Sequence, residues 1–424
     1  MEVAVIGGGY VGLVQTAGLA HLGHRVRLAD VDPARIARLE AGELPIFEPG
    51  LSELFERARQ RKLLSFFDDN REAVKGAEVV FLTLPTPSNG DGSADTSVIF
   101  SVVEEIAPVL EPNTVVVTKS TVPVGTGRAL EELVARINPR VHVASNPEFL
   151  SEGNAVDDFL RAERIVVGAS DRTVAERVAS LYEGLPARLV LTDPTSAELI
   201  KYGANAYLAT RITFFNSLAE LADRFGADIA DVTAGIGLDR RIGPHFMRPG
   251  PGWGGSCFPK DTRALAHMAR QVGYRFGLVE EAIESNRRHQ ELIVERCREL
   301  VGGSLDGLTV GLWGVAFKAG TDDTRESPAL VIAQGLIAQG ARVRAADPEA
   351  TSDLVEMTPD PVAAAEGAAM VVVATEWPEF LRVDMGQVAR VMAGDVVFDL
   401  RNLLDPEAVR KAGLRYVGRG RPSA

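Results

Sequence analysis

A glycine pattern near the amino terminus limits the possible fold more strongly than any other feature of the sequence. A short apolar run at 3–6 reads as a strand, GGGYVG follows at 7–12, and an alanine-rich helical pattern comes next. In this strand–turn–helix context Gly7 permits the tight turn, Gly9 lets a pyrophosphate approach the backbone, and Gly12 lets helix and strand pack closely. The start of the helix then offers free N–H groups to phosphates. This pattern predicts a dinucleotide-binding Rossmann domain.

An acidic residue closes the second predicted strand. The run RVRLAD at 25–30 reads as that strand, and its last residue, Asp30, lies 18 positions after Gly12. A carboxylate at this point can accept a hydrogen bond from the ribose 2′-OH of NAD, and it repels the 2′-phosphate of NADP. We therefore expect NAD as the cofactor.

Strand-like and helical runs alternate over most of the chain. Further apolar strands of a first set are predicted at 79–84, 114–118, 141–144 and 164–167. A second set, which lacks a G-x-G-x-x-G pattern, is predicted at 308–314, 342–345, 370–374 and 396–400. Continuous apolar strands that alternate with helices are typical of parallel sheets covered on both faces. We expect the second set to bind a nucleotide rather than a dinucleotide.

A long helix is predicted between these two sets of strands. The helical period begins after Pro194, where TSAE at 195–198 reads as a capping box, and it continues without proline to about Phe225. A helix of about thirty residues spans on the order of 45 Å, enough to bridge two domains or to build a subunit interface. The predicted fold class is α/β, with two Rossmann-like doubly wound parallel-sheet domains joined by a long central helix.

Composition and charge argue against several classes of protein. The chain of 424 residues has a net charge of −13, which disfavours a nucleic-acid partner because phosphate binding needs a basic surface. No apolar run reaches the roughly 18 residues of a membrane span. The two cysteines, Cys257 and Cys297, are far apart in sequence, so we expect a reducing cytoplasm rather than a disulfide framework. Cys297 lies in a helical pattern and reads as a packing residue.

The most chemically distinctive stretch is GWGGSCFPKD at 252–261, which we call the cysteine loop. A glycine-rich backbone can wrap closely around a small ligand. A thiol placed there becomes a good nucleophile when nearby cations or a helix start lower its pKa. The alternative for Cys257 is a buried, inert thiol in a glycine-rich turn. Taken alone, the loop leaves both interpretations open.

Two polar pairs accompany this loop. Lys201 and Asn205 are four positions apart and share one face of the long helix, where Lys201 is either partly desolvated or extends to solvent. Glu148 and Glu152 follow a predicted strand, at the edge of a parallel sheet where ligands bind. Two solvated loop acids would give the same pattern.

Seven motifs in one order resemble the UDP-glucose 6-dehydrogenases of the UDP-glucose/GDP-mannose dehydrogenase family. They cover nearly the whole chain and are GGGYVG at 7–12, KSTVPVGT at 119–126, NPEFLSEG at 146–153, ELIKYGANAYLA at 198–209, DRRIG at 239–243, GWGGSCFPKD at 252–261 and AFKAGTDDTRES at 316–327. The FPKD after the cysteine is similar to the UDP-glucose branch. Pro85 departs from the family pattern, which has glycine or asparagine there, and it removes a backbone N–H from the loop at 84–87.

The resemblance implies catalytic roles for several residues. Cys257 would be the nucleophile, and Asp261 would position a water as general base. Lys201 and Asn205 would stabilise negative charge on the C6 oxygen of the sugar. Glu148 would assist hydrolysis of a thioester.

The resemblance also implies two sets of binding residues. Thr121 would hold the water used in hydrolysis, and Arg241 would reach a neighbouring subunit. The residues implied for NAD are Gly7, Gly9, Tyr10, Val11, Gly12, Asp30, Arg35, Thr86, Ser120, Thr121, Glu152, Lys260 and Arg325. The residues implied for the nucleotide sugar are Glu148, Phe149, Leu150, Glu152, Lys201, Asn205, Arg241, Arg248, Gly250, Gly254, Phe317, Lys318 and Arg401. No metal ligands are implied.

The implied reaction is the NAD-dependent four-electron oxidation of UDP-glucose at C6 to UDP-glucuronate, with two NADH formed. Two successive hydride transfers from one carbon need a way to hold the intermediate aldehyde, and a thiolate can do so as a hemithioacetal and then a thioester. One alternative is the same oxidation of another nucleotide sugar, dTDP-glucose or GDP-mannose. A more distant alternative is a catalytically silent NAD-sensing homologue, which would be expected to lose the cysteine, lysine or aspartate first.

The resemblance divides the chain into three parts. These are an NAD-binding domain at 1–193, a central helical and dimerisation region with the cysteine loop at 194–300, and a nucleotide-sugar-binding domain at 301–424. A homodimer or higher homo-oligomer is expected from the long helix and the family. The expected setting is nucleotide-sugar metabolism and polysaccharide biosynthesis in the cytoplasm, without a nucleic-acid or membrane partner.

Overall fold

The computed structural model describes residues 1–422, which form two compact units. The first contains Met1–Ala204 and Ala264–Tyr274, and the second contains Asn205–Arg263 and the residues from Arg275 onward. Each unit contains a predominantly parallel sheet with connecting helices, so the predicted α/β fold class is confirmed. The three-part division at 193 and 300 stays a prediction.

The first unit is built on an eight-stranded sheet. Its strands are β1 (Glu2–Ile6), β2 (Arg25–Ala29), β3 (Leu64–Phe67), β4 (Val79–Leu82), β5 (Val115–Thr118), β6 (His142–Ser145), β7 (Arg164–Gly168) and β8 (Arg188–Thr192). They lie in the order β3-β2-β1-β4-β5-β6-β7-β8 and are parallel except where Ser145 of β6 meets Gly168 of β7. The sheet reverses its strand order beside β1, which places a ligand crevice at the carboxyl end of that strand.

Helices of the first unit cover both faces of this sheet. They are α1 (Tyr10–His21), α2 (Pro33–Ala41), α3 (Leu51–Gln60), α4 (Asn70–Val74), α5 (Ser97–Ile106), α6 (Thr126–Ile137), α7 (Ala155–Leu160) and α8 (Arg172–Ala179). The valine-rich strands β4 and β5 are buried along their whole length, and separate apolar clusters fill the two faces. Continuous apolar strands therefore reflect burial on both sides, as the sequence predicts.

The second unit contains a six-stranded sheet that is parallel throughout. Its strands are β9 (Thr309–Trp313), β10 (Arg342–Ala346), β11 (Glu356–Met357), β12 (Met370–Val373), β13 (Val396–Asp399) and β14 (Arg415–Gly418), in the order β11-β10-β9-β12-β13-β14. Its helices are α10 (Ile229–Gly237), α12 (Gly277–Leu300), α13 (Pro328–Ala338), α14 (Pro361–Ala365), α15 (Met385–Val391) and α16 (Pro406–Lys411). Cys297 of α12 is fully buried in the apolar core of this unit, where the sequence predicts a packing role.

Two helices have residues in both units. They are α9 (Pro194–Phe225), which ends where the long helix is predicted to end, and α11 (Phe258–Gln271). Within residues 1–422, no helix combines the length and apolar character needed to cross a membrane.

The start of α9 differs from the predicted capping box. Asp193 caps the helix, because its carboxylate accepts from the Ser196 N–H at 3.0 Å and from the Ser196 hydroxyl at 2.6 Å. Glu198, the acid of the predicted box, instead accepts the N–H groups of Gly125 and Gly127, each at 2.6 Å. The capping-box prediction is wrong because this carboxylate makes a tertiary contact with the start of α6.

Candidate functional site

The glycine loop between β1 and α1 has the geometry of a phosphate-binding turn. Gly7 has φ of +105°, and a Cβ on Gly12 would overlap the carbonyl of Gly7, so each position needs glycine. A Cβ on Gly9 would meet no described heavy atom within 4 Å, which leaves this backbone open to a ligand. The loop therefore fits a pyrophosphate at the amino terminus of α1.

Asp30 is fixed beside this loop. Its Oδ2 accepts the Gly8 N–H at 2.7 Å and lies 2.9 Å from Nη1 of Arg35. Its Oδ1 accepts the Asp32 N–H at 3.0 Å. The buried carboxylate therefore stands at the end of β2 next to the glycine loop, where a ribose hydroxyl would lie.

Other residues predicted to contact NAD occupy neighbouring loops of the first unit. The Tyr10 hydroxyl bonds to Glu48 and accepts the Gly153 N–H at 3.0 Å, which ties the start of α1 to the 146–153 motif. Ser120 donates to the carbonyl of Leu84 at 2.6 Å. Thr86 is buried, whereas Glu152 is half-buried.

A small cavity brings several predicted residues together in the first unit. Its lining consists of Thr118, Ser120, Thr121, Val122, Ser145, Pro147, Glu198 and Lys201. Burial raises the pKa of Glu198 to about 7, against the opposing effect of the two backbone N–H groups that it accepts. The structure thus gathers Ser120, Thr121 and Lys201 around one small space.

Glu148 and Lys201 form a buried ion pair. Lys201 Nζ lies 2.7 Å from Glu148 Oε1, and the side chains are 4% and 7% exposed, respectively. Glu148 Oε2 accepts the Leu150 N–H at 2.6 Å, and Lys201 Nζ lies 5.6 Å from the centroid of the Phe149 ring. Burial by itself would raise the pKa of Glu148, but the charge and hydrogen bond of Lys201, the Leu150 N–H and the charge of Lys119 together hold this pKa below its usual value.

Asp261 is held on both carboxylate oxygens in the second unit. Asn205 Nδ2 donates to its Oδ2 at 2.6 Å, and Lys260 Nζ lies 2.6 Å from its Oδ1. The Asp261 side chain is 1% exposed, and Asn205 is also buried. The contact joins the middle of α9 to the first turn of α11, so its partners are 56 residues apart in sequence.

Cys257 directly precedes α11 and is partly exposed. Its carbonyl accepts the Asp261 N–H at 2.9 Å, and its Sγ lies 3.5 Å from the Ser256 hydroxyl. Two glycines of the cysteine loop pack tightly against the 316–327 motif. A Cβ on Gly254 would overlap the carbonyl of Glu326, and one on Gly255 would lie 2.9 Å from the Phe317 ring.

Residues predicted to hold the nucleotide sugar surround this loop in part. A Cβ on Gly250 would lie 2.9 Å from Nη1 of Arg401. The Arg401 guanidinium donates to the carbonyl of Phe317 at 3.2 Å and lies 2.9 Å from a Glu376 oxygen. Lys318 is half-buried, with Nζ 5.7 Å from the Phe317 ring centroid.

Three predicted arginines do not point into these clusters. The Arg241 side chain is 84% exposed and pairs with Asp239 at 2.7 Å. The Arg325 side chain is 66% exposed and pairs with Asp323 at 2.7 Å, although its carbonyl accepts the Gly255 N–H. Arg248 is exposed.

Polar helix residues that we did not predict support the cysteine loop. Asn286 of α12 accepts the Trp253 N–H and donates to the Trp253 carbonyl, each at 3.0 Å. His289 Nε2 lies 2.8 Å from the carbonyl of Gly250, and Asn216 of α9 accepts the Gly250 N–H at 2.9 Å. Asn286 and His289 are buried and three positions apart in a helical pattern, a spacing that offered a signal for them. Among residues 1–422 no cluster of histidine, cysteine and acidic side chains has the make-up of a metal site.

Comparison with known proteins identifies the family over three consecutive segments. Residues 1–186 match the NAD binding domain of the UDP-glucose/GDP-mannose dehydrogenase family, residues 195–288 match its central domain, and residues 311–406 match its UDP binding domain. These segments contain the glycine loop, the cysteine loop and Arg401, respectively.

Individual relatives match over nearly their full lengths. The UDP-glucose 6-dehydrogenase of Pseudomonas aeruginosa is 43% identical, with 100% of this chain and 98% of that protein covered. The UDP-glucose 6-dehydrogenase of Rhizobium meliloti is 42% identical, with 100% of each covered. A solved UDP-glucose dehydrogenase from Pyrobaculum islandicum is 37% identical and superimposes with a TM-score of 0.92, covering 99% of this chain and 98% of that one. The chain therefore belongs to the UDP-glucose/GDP-mannose dehydrogenase family and is an NAD-dependent oxidoreductase.

Proposed function

We propose that the protein oxidises UDP-glucose at C6 to UDP-glucuronate in two steps, through a thioester on Cys257. The observation that carries this proposal is a partly exposed thiol four residues before a buried carboxylate, Asp261, which is held by Asn205 and Lys260. An ordinary alcohol oxidation has no use for this thiol. The UDP-glucose 6-dehydrogenases named above support UDP-glucose as the substrate.

The first unit would hold NAD through its own residues. The open backbone of Gly9 and the first turn of α1 would bind the pyrophosphate, and Asp30 would bind the ribose. NAD supplies the acceptor for the hydride that leaves C6 in each oxidation. The anchored carboxylate of Asp30 orients the cofactor and disfavours NADP.

Cys257 would act as the covalent nucleophile. It lies at the start of α11, where the positive end of the helix dipole favours a thiolate. The thiolate adds to the C6 aldehyde, and loss of a second hydride from the hemithioacetal leaves a thioester. Asp261, fixed by two donors, would orient a water as general base.

Lys201 would stabilise negative charge during oxidation, and Glu148 would act in hydrolysis of the thioester. Lys201, together with Asn205, would donate to the C6 oxygen as negative charge develops on it. Glu148 is kept ionised by its neighbours and would activate the water that cleaves the thioester, with Thr121 holding that water. Hydrolysis frees the thiol and releases the uronic acid.

The stoichiometry of the reaction tests this proposal. The purified protein with limiting UDP-glucose and excess NAD should form two NADH per sugar, produce UDP-glucuronate and leave no aldehyde for a carbonyl-trapping reagent. One NADH per sugar, or aldehyde accumulating in the trap, would rule out the thioester route.

Substrate choice requires a separate test because the same chemistry suits other nucleotide sugars. NAD reduction should be measured with UDP-glucose, dTDP-glucose and GDP-mannose at equal concentrations. The proposal expects the highest kcat/KM with UDP-glucose. A higher value with another sugar would change the substrate but not the reaction, and NAD binding without turnover of any sugar would favour a sensing role.

We also propose a homodimer in a reducing cytoplasm. Tyr207, Phe214 and Leu221 recur every seven residues on α9 and are 61%, 59% and 45% exposed, which is unusual for large apolar side chains on a helix. Burial of this stripe against a second copy would explain the exposure. Light scattering after size-exclusion chromatography should give twice the 45.4 kDa mass of one chain. The Cys257 thiol needs a reducing compartment.

A further inference from the structure

Lys119 is a second buried lysine in the first unit, and the proposed reaction does not use it. It follows β5 directly and is 6% exposed. Its Nζ donates to Asn146 Oδ1 at 2.9 Å and to the Tyr182 hydroxyl at 3.2 Å, and it lies 5.4 Å from the centroid of the Tyr182 ring. Both hydrogen-bond acceptors are neutral, so the cost of burying an ammonium group calls for an explanation.

The hydrogen bonds of Lys119 belong to a buried chain that ends near Glu148. The Tyr182 hydroxyl donates to Asn146 Oδ1 at 2.5 Å and accepts from Gln15 Nε2 at 2.9 Å. Asn146 Nδ2 donates to the carbonyl of Val166 on β7 at 2.6 Å. Asn146 is therefore fixed on both ends of its amide, two residues before Glu148.

Lys119 and Glu148 also interact electrostatically. Burial lowers the pKa of Lys119 to about 7, the charge of Glu148 raises it, and the charge of Lys201 lowers it further. In turn, Lys119 is one of the groups that hold the pKa of Glu148 down. Lys119 and Lys201 thus both act electrostatically on the same buried carboxylate.

We propose that Lys119 is a positioning residue for Glu148, which it orients through Asn146 and keeps ionised through its own ammonium charge. This inference rests on the proposed role of Glu148 in thioester hydrolysis. A lysine with a purely structural role would anchor Asn146 without affecting how Glu148 titrates. The pH dependence of hydrolysis distinguishes the two roles.

Two variants test the proposal. Lys119→Met removes charge and hydrogen bonds at similar length, and Asn146 keeps its bond from Tyr182, so the fold should persist. Lys119→Gln removes the charge but retains a hydrogen-bond donor. In Lys119→Met we expect kcat to fall by about tenfold or more with the KM for NAD within about twofold, because the loss falls on proton transfer.

The sign of the pH effect follows from the lost positive charge. Without it the pKa of Glu148 rises, so the acidic limb of the kcat profile should move to higher pH in both variants. Acid-quenched Lys119→Met should then show more thioester adduct by intact-protein mass spectrometry than wild type at the same mildly acidic pH. Lys119→Arg keeps the charge and should keep the limb near its wild-type position.

The matched control is Gln15→Met, at the far end of the same chain. Gln15 is fully buried and bonds to Tyr182, so this variant perturbs the chain without touching Lys119 or Asn146. It should retain the wild-type pH profile. A folded Lys119→Met or Lys119→Gln with wild-type kcat and an unmoved acidic limb would overturn the proposal. If Lys119→Met does not fold, the test is made with Lys119→Gln.

The wild-type reaction separates this inference from the proposed function. If wild type forms two NADH per UDP-glucose and a thioester adduct, but both variants behave like wild type, only the role of Lys119 is wrong. If wild type forms no thioester, the proposed function fails and this inference fails with it.

Discussion

Lys201 Nζ lies 2.7 Å from Glu148 Oε1, and neither side chain is more than 7% exposed. Removing one member of such a pair leaves the other charge buried, which typically costs about 3–5 kcal/mol. Lys201→Ala should therefore lower the free energy of unfolding at neutral pH, measured by urea denaturation. Lys201→Ala combined with Glu148→Gln should recover part of the loss, and a single variant as stable as wild type would contradict a tight pair.

The pH dependence of this effect has a defined sign. The folded-state pKa of Glu148 is lowered, so the carboxylate stabilises the fold above its unfolded pKa, and this contribution is lost as pH falls through the folded pKa. Lys201→Ala should therefore lose less stability than wild type on acidification. Urea titrations at neutral and acidic pH make the comparison, and an equal loss in both proteins would refute this account.

The same substitution predicts a kinetic change. If Lys201 stabilises charge that develops only in the transition state, Lys201→Ala should lower kcat by about 10²–10³ with little change in substrate affinity. Steady-state kinetics and isothermal titration with UDP-glucose check the two quantities separately. A raised KM with an unchanged kcat would make Lys201 a binding residue instead.

Asp30→Ala should weaken NAD binding and spare the nucleotide sugar. The carboxylate is buried and fixed by the Gly8 N–H, and loss of the proposed charged hydrogen bond to ribose would cost about 1.5–3 kcal/mol, or roughly 10–150-fold in Kd. Asp32→Ala is a suitable control, because that exposed residue caps α2 through the Ala34 N–H. Equal catalytic efficiency with NADP and NAD in wild type would remove the basis for this role.

The two cysteines should differ sharply in function. Cys257→Ala should abolish uronic acid formation while retaining nucleotide-sugar binding, because the proposed thioester needs the thiol. Cys297→Ala should retain activity, since Cys297 lies in the core and burial raises its pKa to about 12. Iodoacetamide should modify Cys257 first, as mapped by peptide mass spectrometry. Uronic acid and two NADH formed by Cys257→Ala at near wild-type rate would make that cysteine structural.

Local patterns in the sequence predicted the fold well, because their physical causes are local. The glycines at 7–12 mark a strand–turn–helix, and the proline-free helical period after Pro194 predicts the observed end of α9. Glu198 is a residue for which the local pattern gives a wrong prediction. Its spacing fits a capping box, but its carboxylate binds Gly125 and Gly127, more than seventy residues earlier in the chain. Local spacing cannot indicate which distant backbone groups need an acceptor.

The candidate site shows the same limit. The motif resemblance selected Glu148, Lys201, Asn205 and Asp261, and the structure pairs Glu148 with Lys201 and Asn205 with Asp261. The resemblance assigns no role to Lys119, because its contact with Asn146, 27 residues later in the chain, forms only in the fold. The resemblance also did not determine the side-chain conformation of Arg241, which pairs with Asp239 in this single chain.

His289 should make stability sensitive to mild acid. Burial lowers the pKa of this imidazole to about 4, with a further lowering by the charge of Arg419. Because the folded pKa lies below the unfolded value, the stabilisation is present above about pH 6.5 and is lost progressively as pH falls toward the folded pKa, by about 3 kcal/mol in total. His289→Gln should show a smaller decline over this window in urea titrations. Parallel curves for the two proteins would show that another group titrates.

The amide of Asn286 pairs with the backbone of Trp253 through two hydrogen bonds, as a neighbouring strand would. A stretch without regular secondary structure is thus fastened to α12 at the position just before the tightly packed glycines. Its Trp253 amide proton should become accessible to solvent deuterium only when that part of α12 opens. The Trp253 N–H, although it lies in a loop, would then exchange as slowly as the amides of a helix. The lifetime of the cysteine-loop conformation would therefore depend on how often α12 opens.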